Sequence, residues 1–395
     1  MHRLLPPWRR PPRLFIWLLA AACVGLALGA EQLRLRHNAA LADIAVPLPQ
    51  GFEPALPSSS LAALRGRGFE DQAEADLIRI YQLVARGELA QATRDSATLA
   101  ARYPNFTLAQ VLRGDLLLAN AGRLQHFIDV PPGAGKPGQA AALVQEARQR
   151  LRAYTDAPAF GDIPSNFVEL GPGVRHAILV DTSRSRLYLF GRAPNGALRV
   201  EANYYVTQGK LGAEKQRAGD LRTPLGVYFI TREVGKRWLA QIYGAGAMPL
   251  NYPNAWDRLL GRTGGGIWLH GVPPDSYARP PLDSDGCVVL ANPDIEALMR
   301  HVDGGTTPVV ITRSAEWLDA PQIAARRAAL RQMLARNGAA TGKAQQDATM
   351  LYFNGQHELL VVQYPGDGRQ HPVTHRDYWS KQNGQWHLFH TGVLS

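Results

Sequence analysis

Cys287 and His270 are the two residues whose types and spacing could together carry out covalent chemistry. Cys287 lies in the stretch SDGCVVLAN, and His270 lies upstream of it in IWLHG. A cysteine thiol with its usual pKa near 8.5 needs a base to become an effective nucleophile at neutral pH, and histidine is a common base. Gly286 allows close approach of the backbone, so the amides of Asp285, Gly286 and Cys287 could form an oxyanion hole. By themselves, these residue types fit two interpretations equally well. They could be a catalytic pair, or they could be an inert buried cysteine and an unrelated histidine.

The number of cysteines in the chain is consistent with a reactive thiol at Cys287. The chain has only two cysteines, and Cys23 lies in an apolar run close to the N-terminus. Exported proteins usually pair their cysteines or lack them. A second thiol close to a nucleophile would permit a disulfide, so a single unpaired cysteine is what thiol chemistry outside the cytoplasm requires.

The N-terminus has the pattern of an export segment. Arg3, Arg9, Arg10 and Arg13 precede residues 14–30, which carry no charged side chain. A basic region followed by an apolar one predicts a signal peptide or membrane anchor over residues 1–30, with the remainder translocated. We therefore expect an exported protein, associated with the membrane if the segment is retained. Residues 31–66, rich in Pro and Ser, are interpreted as a linker.

Residues 67–157 show helical periodicity and form the first predicted domain. Gly87 ends one predicted helix, a turn at Pro104-Asn105 separates two more, and another covers roughly residues 139–154. The spacing of small and large apolar residues resembles a tetratricopeptide-type helical pair. Only one such pair is visible, so a solenoid is not predicted. This module could bind an envelope protein, or it could be a plain helical domain.

The rest of the chain is mainly β. Residues 171–314 contain a hairpin at HAILVDTSRSRLYLF, further strand segments and one or two short helices. Residues 320–395 contain a helix and a small β segment with a two-residue hairpin turn at Asn383-Gly384. The last strands look similar to those that close NTF2-like domains. The predicted fold class is therefore multidomain α+β.

Four segments that occur in order resemble one enzyme family. AGDLRTPLGVYFI, YGAGAMPLNYPNAWD, the His-Gly pair at residues 270–271 and SDGCVVLAN are together similar to the L,D-transpeptidase catalytic domain, the YkuD-type fold. The similarity covers about residues 174–312. Members of this family form peptide cross-links in bacterial peptidoglycan or attach proteins to it. Together with the export segment, the resemblance implies a periplasmic protein of the bacterial cell envelope, associated with the inner membrane if that segment is retained.

The resemblance implies a role for each residue that matches the family pattern. Cys287 matches the nucleophile and His270 the general base, while the Gly271 carbonyl is expected to orient the imidazole ring. Ser284 and Gly286 match the other fixed positions of the cysteine motif. The upstream residues Asp220, Thr223, Pro224 and Gly226 also match and are expected to be architectural. Tyr243, Asn251 and Tyr252 fall in a stretch expected to line the cleft, where they could either contact the substrate or pack in the core.

Two positions depart from the family pattern. Asp285 stands where His, Arg or Asn is commoner, and Val289 stands where many members carry an arginine that helps to hold the substrate carboxylate. The alternatives for that missing charge are Arg262, Arg279 and Lys210, each of which could equally be a solvated surface residue.

The implied activity is a cysteine-dependent acyl transfer on the peptidoglycan stem peptide, without metal or cofactor. The acceptor amine could belong to a second stem peptide or to a protein. The alternatives are a hydrolase on the same scaffold, which would be an L,D-carboxypeptidase or an amidase that releases wall-attached protein, and a catalytically inactive wall-binding scaffold. The net charge of +10 favours anionic partners, but no nucleic-acid-binding motif is present, so nucleic acid is not an expected partner.

Overall fold

The computed structural model describes residues 71–124, 128, 138–159, 161–193, 196–338, 346–366 and 373–394. The predicted export segment and linker, residues 1–66, lie outside these ranges. Within the described residues no helix is both long and apolar enough to cross a membrane.

The helices of the described residues form an N-terminal group of four and three that lie further along the chain. In chain order they are α1 Gln72–Ala85, α2 Leu89–Arg102, α3 Thr107–Asn120, α4 Gln139–Thr155, α5 Ala255–Leu259, α6 Asn292–Met299 and α7 Ala320–Arg336. Short 3-10 helices cover Lys236–Trp238 and Gln241–Tyr243.

The strands are mostly short and are numbered along the chain. They are β1 Ile163–Pro164, β2 Phe167–Glu169, β3 His176–Asp181, β4 Arg186–Arg192, β5 Leu198–Tyr205, β6 Gln208–Gly209, β7 Gly226–Phe229, β8 Val234–Gly235, β9 Gly246–Pro249, β10 Trp268–His270, β11 Leu282–Ser284, β12 Val288–Val289, β13 Pro308–Thr312, β14 Trp317–Leu318, β15 Thr349–Asn354, β16 Glu358–Gly366, β17 Val373–Gln382 and β18 Gln385–Leu394.

Two sheets form the centre of the β domain. One has the order β5-β4-β3-β13-β7, and the other has the order β12-β10-β9-β8. The β3–β13 and β10–β12 pairs are parallel, and the other pairs in these two sheets are antiparallel. A bridge between Thr207 and Val289 links the small sheet to the segment that follows β5. The predicted hairpin of β3 and β4 and the α+β fold class are confirmed.

The C-terminal strands form a larger sheet than their local sequence suggests. Strands β15 to β18 are antiparallel neighbours, and β2 adds a fifth strand beside β15. The turn between β17 and β18 has positive φ at both Asn383 and Gly384, as a two-residue hairpin turn requires, so that prediction is confirmed. Strands β1 and β2 precede residue 171 and were not predicted.

A buried group of charges joins the helical module to the β domain. Glu74 of α1 lies 2.9 Å from the Arg186 guanidinium of β4 and 3.1 Å from that of Arg150 of α4. Glu146 pairs with Arg150 at 3.0 Å. All four side chains are almost completely buried. Because a buried charge is costly unless it is paired, these contacts specify one arrangement of the two domains.

Candidate active site

Strand pairing brings Cys287 and His270 to one face of the small sheet. In the parallel β10–β12 pair, Leu269 is opposite Val288 and His270 is opposite Val289. Cys287 directly precedes β12, so strand alternation places its side chain on the same face as that of His270, two residues away on the neighbouring strand. Standard strand spacings give a Cα separation of about 8 Å, which the two side chains can bridge.

The His270 ring is held in one tautomer. Its Nδ1 atom lies 2.6 Å from the Gly271 carbonyl oxygen. A carbonyl can only accept a hydrogen bond, so Nδ1 carries the proton and Nε2 of the neutral ring is a free base. Burial lowers the pKa of His270 to about 4, although the hydrogen bond to Gly271 acts in the opposite direction. The imidazole is therefore neutral at physiological pH and can accept a proton through Nε2.

Cys287 is a free and partly exposed thiol. Its Sγ lies 3.4 Å from the Gly266 carbonyl oxygen, the hydrogen-bond acceptor that the described residues provide for it. Burial raises the pKa of Cys287, and a hydrogen bond with the Trp268 backbone lowers it in part. The thiol is therefore protonated at neutral pH, and its activation requires a base that removes the proton.

Ser284 and Gly286 shape the turn that presents the thiol. The Ser284 hydroxyl donates to the Cys287 carbonyl oxygen at 2.6 Å and accepts from the Gly286 amide at 3.1 Å. Gly286 has φ +124°, and a Cβ atom there would lie 2.7 Å from the Arg222 carbonyl oxygen, so only glycine fits. In this conformation the Gly286 amide donates to Ser284. Its predicted use as an oxyanion donor therefore requires exchange of that bond.

The upstream segment that contains Asp220 and Thr223 packs against this turn at Gly286. Asp220 accepts from the Lys215 ammonium at 2.7 Å and from the backbone amides of Gln216, Arg217 and Arg222. Its burial would raise the pKa of the carboxyl group, but the hydrogen bonds from Lys215 and the amides lower it to about 2. Arg222, whose carbonyl contacts Gly286, is thus fixed by a permanently charged Asp220. Thr223 accepts from the Gly209 amide at 2.9 Å.

The three predicted cleft residues lie in two different places. The Tyr243 ring meets the His270 ring edge-on, with 5.1 Å between ring centroids. Asn251 instead accepts from the Phe229 amide at 2.9 Å, and the Tyr252 hydroxyl donates to the Thr263 carbonyl oxygen at 3.1 Å. Both residues line an open cavity against the C-terminal sheet, beside Arg376, Tyr378 and His390. Among the three, the structure brings only Tyr243 to His270.

Asn292 is a positioning residue that the sequence analysis did not identify. Its Oδ1 atom accepts from the amides of Ala245 (2.9 Å) and Val272 (3.2 Å). A Cβ atom at Gly271 would lie 2.3 Å from the same oxygen, and one at Gly244 would lie 2.2 Å from it. The side chain therefore packs tightly between the segment that carries Tyr243 and the segment that carries His270. Its place at the end of the SDGCVVLAN stretch was the available signal.

The three candidate charges have different partners. Arg262 is buried beside Asp257 at 3.0 Å, and Lys210 pairs with Asp285 at 2.9 Å. The positive charge of Arg279 lowers the pKa of both His270 and Cys287, as a smaller contribution beside the effects of burial. Its guanidinium makes a long 3.5 Å contact with the Asp283 carbonyl oxygen. Of the three, Arg279 is the one whose charge acts on both residues.

The loop between His270 and Cys287 is anchored on the helical module. The Tyr277 hydroxyl donates to Asp71, the N-cap of α1, at 2.7 Å, and its ring lies 4.7 Å from that of Phe106. Asn105 accepts from the Tyr277 amide and donates to the Pro274 carbonyl oxygen at 3.1 Å.

Arg279, two residues after Tyr277, is fixed through its backbone. Its carbonyl oxygen accepts from the hydroxyls of Tyr205 (3.0 Å) and Thr207 (2.9 Å). The Arg150 guanidinium of α4 lies over the Tyr205 ring at 3.9 Å. The helical module therefore holds this loop directly at Tyr277, whereas two hydroxyls of the β domain hold it at Arg279.

Comparison with known proteins identifies the β domain. Residues 175–311 match the family model of the L,D-transpeptidase catalytic domain, YkuD. The resemblance seen in the sequence motifs is thus confirmed, and a helical region precedes the domain as expected. Enzymes of this family are generally cysteine-dependent and act on peptidoglycan. No sequence among the curated proteins matches the chain.

Several solved structures are also similar to this chain, two of them over a larger part of it than the family model. Bd1075 of Bdellovibrio bacteriovorus is 21% identical, with 59% of this chain and 98% of that chain covered and a TM-score of 0.47. The helical cell shape determining protein Pgp2 of Campylobacter jejuni is 18% identical, with 60% and 97% covered and a TM-score of 0.42. An L,D-transpeptidase from Mycobacterium smegmatis is 14% identical, with 35% and 59% covered and a TM-score of 0.21.

Proposed function

We propose that this chain, through the YkuD-type domain at residues 175–311, is a peptidoglycan L,D-transpeptidase that works through a thioester on Cys287. One observation carries the proposal. The hydrogen bond from His270 Nδ1 to the Gly271 carbonyl leaves Nε2 unprotonated on the face of the sheet that also presents Cys287. A cysteine that is protonated at rest and a neutral histidine beside it form a nucleophile and base pair.

Acylation begins when His270 Nε2 takes the thiol proton as Sγ attacks the carbonyl carbon of the third residue of the stem peptide. Negative charge develops on the carbonyl oxygen, and amides of the turn at residues 285–287 would stabilise it. The C–N bond then breaks, His270 returns the proton to the leaving amine, and D-alanine departs. Cys287 is left as a thioester and His270 is neutral again, so atoms and charges balance.

The second half of the reaction transfers the acyl group. An incoming amine attacks the thioester, His270 takes a proton from its nitrogen, and that proton passes to the Cys287 sulfur as the C–S bond breaks. With the amine of a second stem peptide the product is a cross-link, and with a protein amine it is an attached protein. Water as the acceptor would make the same site a carboxypeptidase.

Arg279 would bind the carboxylate of the substrate in place of the family arginine that Val289 replaces. Val289 is buried and pairs with His270 in the sheet, so an uncharged side chain occupies that position. Arg279 supplies positive charge to both His270 and Cys287, and its backbone is fixed by two hydroxyls. An arginine can hold a carboxylate through two parallel hydrogen bonds, which would fix the end of the stem peptide as well as attract it.

The family also points to the place of action. L,D-transpeptidases are typically enzymes of the cell envelope. A periplasmic location, with residues 1–30 as signal or anchor, is accordingly part of the proposal.

Purified full chain incubated with defined muropeptides tests this function. Mass spectrometry of the products separates cross-linked dimers from trimmed monomers. Cys287→Ala removes the nucleophile, His270→Gln removes the base, and His387→Ala is a matched control because it changes an exposed histidine of β18.

Dimers that the control variant still forms and the first two variants do not form would support transpeptidation. Trimmed monomers alone would replace it by the hydrolase. An unchanged substrate in every sample would favour an inactive scaffold and overturn the proposal.

A further inference from the structure

A second cluster of side chains, all of types that can bind a metal ion, lies near the C-terminal end of α6, whereas Asn292 lies at its N-terminal end. It consists of His176 at the start of β3, Glu201 in β5 and His301, which follows α6. Asn292 begins α6 and contacts the segment after His270, whereas His301 lies two residues past the end of the helix. A helix of eight residues is about 12 Å long, so the cluster is separate from the candidate active site.

A β-bulge turns Glu201 toward His176. In the β4–β5 pair, Leu189 is opposite Ala202 and Phe190 is opposite Val200, which leaves Glu201 as the extra residue on β5. Bulges redirect a side chain and are typical of functional positions. Strand β4 lies between the two residues, and Gly191 is its residue opposite His176.

Gly191 makes room for the carboxylate. A Cβ atom at this position would lie 2.2 Å from Oε1 and 2.4 Å from Oε2 of Glu201. The glycine therefore leaves an opening in the middle strand, and the Glu201 carboxylate reaches across it to within 3.2 Å of His176 Nε2. The bulge and the glycine together permit a contact between residues on strands that are not neighbours.

The three side chains have the composition and spacing of a metal site. One potential ligand atom from each residue lies within 4.8 Å of the other two. The rings of His176 and His301 are 5.2 Å apart between centroids and nearly perpendicular, at 76°. Zinc bonds to histidine nitrogen and carboxylate oxygen are about 2.0–2.2 Å long, which puts the ligand atoms of a tetrahedral site roughly 3.3–3.5 Å apart. Small side-chain rotations would bring all three into range.

The surroundings agree with a bound cation. Glu201 and His176 are mostly buried, with side-chain exposures of 20% and 17%. Nδ1 of His176 is buried and has no hydrogen-bond partner within the described part of the chain. The positive group that contacts Glu201 through its other oxygen is Arg199, at 3.4 Å, and Arg199 is itself largely exposed. As metal ligands, two imidazoles and one carboxylate would contribute a single negative charge, which a divalent ion outweighs.

We propose that His176, Glu201 and His301 bind a zinc ion outside the catalytic cleft. Three protein ligands leave the fourth position of the ion for water. Because the ligands come from β3, β5 and the segment after α6, the ion would tie the far end of α6 to the large sheet. It would thereby stabilise the helix whose first residue, Asn292, orders the segment after His270.

Metal titration of the full chain, purified without a histidine tag, tests this site. All variants carry Cys287→Ala, so that the thiol and His270 do not bind the metal. Zinc binding is measured by calorimetry, and the coordination geometry is measured by the visible absorption of Co²⁺. The site is removed by Glu201→Gln, which preserves the shape of the side chain, and separately by His301→Ala. His387→Ala is the matched control.

We expect one zinc ion per chain, a tetrahedral Co²⁺ spectrum, and at least a tenfold loss of affinity in both site variants but not in the control. Zinc should also raise the unfolding temperature of the parent and not that of folded Glu201→Gln. No saturable binding by the parent, or equal affinity in parent and His301→Ala, would overturn the site. Neither outcome depends on the enzymatic activity.

Discussion

Replacing Asn292 by Ala is expected to weaken both the fold near the active site and its reactivity. The Asn292 oxygen accepts from the Ala245 and Val272 amides, and alanine would leave both without that acceptor. A buried donor that loses its partner costs about 1–3 kcal/mol, so two partly buried amides should lower the free energy of unfolding by about 2–4 kcal/mol. The effect should appear as a lower unfolding temperature.

Reactivity should fall for a geometric reason. The Asn292 oxygen occupies the space next to Gly271 and Gly244, so its removal lets the segments that carry His270 and Tyr243 move. A displacement of about 1 Å from the productive geometry can cost on the order of 100-fold in rate. We expect Asn292→Ala to slow the acylation of Cys287 by a carbapenem about 10- to 100-fold, as followed by intact mass over time.

Asn292→Asp is the matched variant, because a carboxylate oxygen accepts from the same two amides. A negative charge in the first turn of α6 is also favourable, by about 0.3–1 kcal/mol. This variant should acylate within a few-fold of wild type, and Asn337→Ala at the end of α7 should have no effect. Equal rates for wild type and Asn292→Ala, or equal losses in the alanine and aspartate variants, would refute the positioning role.

Three further predictions follow from other contacts. Glu74→Gln breaks the buried pairs with Arg150 and Arg186, so it should lower the free energy of unfolding by about 3–5 kcal/mol, while Glu88→Gln, in an exposed pair, should change it little. Arg279→Ala should raise KM for a stem peptide about tenfold with a smaller change in kcat, and Arg279→Lys should recover part of the loss; an unchanged KM would remove Arg279 from substrate binding. Burial lowers the pKa of His270 from its usual 6.5 to about 4, so the folded state binds its proton less readily than the unfolded state. The contribution of the neutral, buried imidazole to the free energy of unfolding is present above pH 6.5 and is lost as the pH falls toward 4. Between pH 7 and 4, the free energy of unfolding of wild type should therefore fall by up to about 3 kcal/mol more than that of His270→Asn. Equal decreases in the two proteins would contradict that pKa.

Local patterns in the sequence were sufficient for most helices and hairpins. The β3–β4 hairpin and helices α1 to α4 are each specified by apolar periodicity and a turn within the same segment. Strands β1 and β2 are different, because each has only two or three residues. Their pairing partners, β14 and β15, lie more than 100 residues further along the chain, so no local pattern indicates them.

The candidate site could also be predicted only in part, because local motifs reveal some of its residues and tertiary contacts define the roles of others. Cys287, His270 and Ser284 lie in short recognisable motifs. The role of Asn292 depends on the tertiary contact of two separate loops with one oxygen, which sequence spacing does not reveal. The positive charges of Arg262, Arg279 and Lys210 are evident from the sequence, but their partners are not, and two of the three have carboxylate partners in the structure.

Long-range contacts limit how well the domain boundaries can be predicted from the sequence. Strand β2 lies before residue 171 but completes the C-terminal sheet, and Tyr277 of the β domain lies in the core of the helical module. Each predicted domain is therefore a continuous segment of the sequence, but residues of one domain contribute to the sheet or hydrophobic core of another. The NTF2-like resemblance of the last strands stays a prediction.

Covalent labelling of Cys287 by a carbapenem is the direct test of whether this cysteine forms a thioester. Intact mass of the full chain should increase by the mass of one carbapenem, and peptide mapping should place the adduct on Cys287. Cys287→Ala should remain unlabelled, and His270→Gln should be labelled much more slowly because the thiol loses its base. A wild-type protein that stays unmodified, or an adduct that persists in Cys287→Ala, would contradict a nucleophilic role for Cys287.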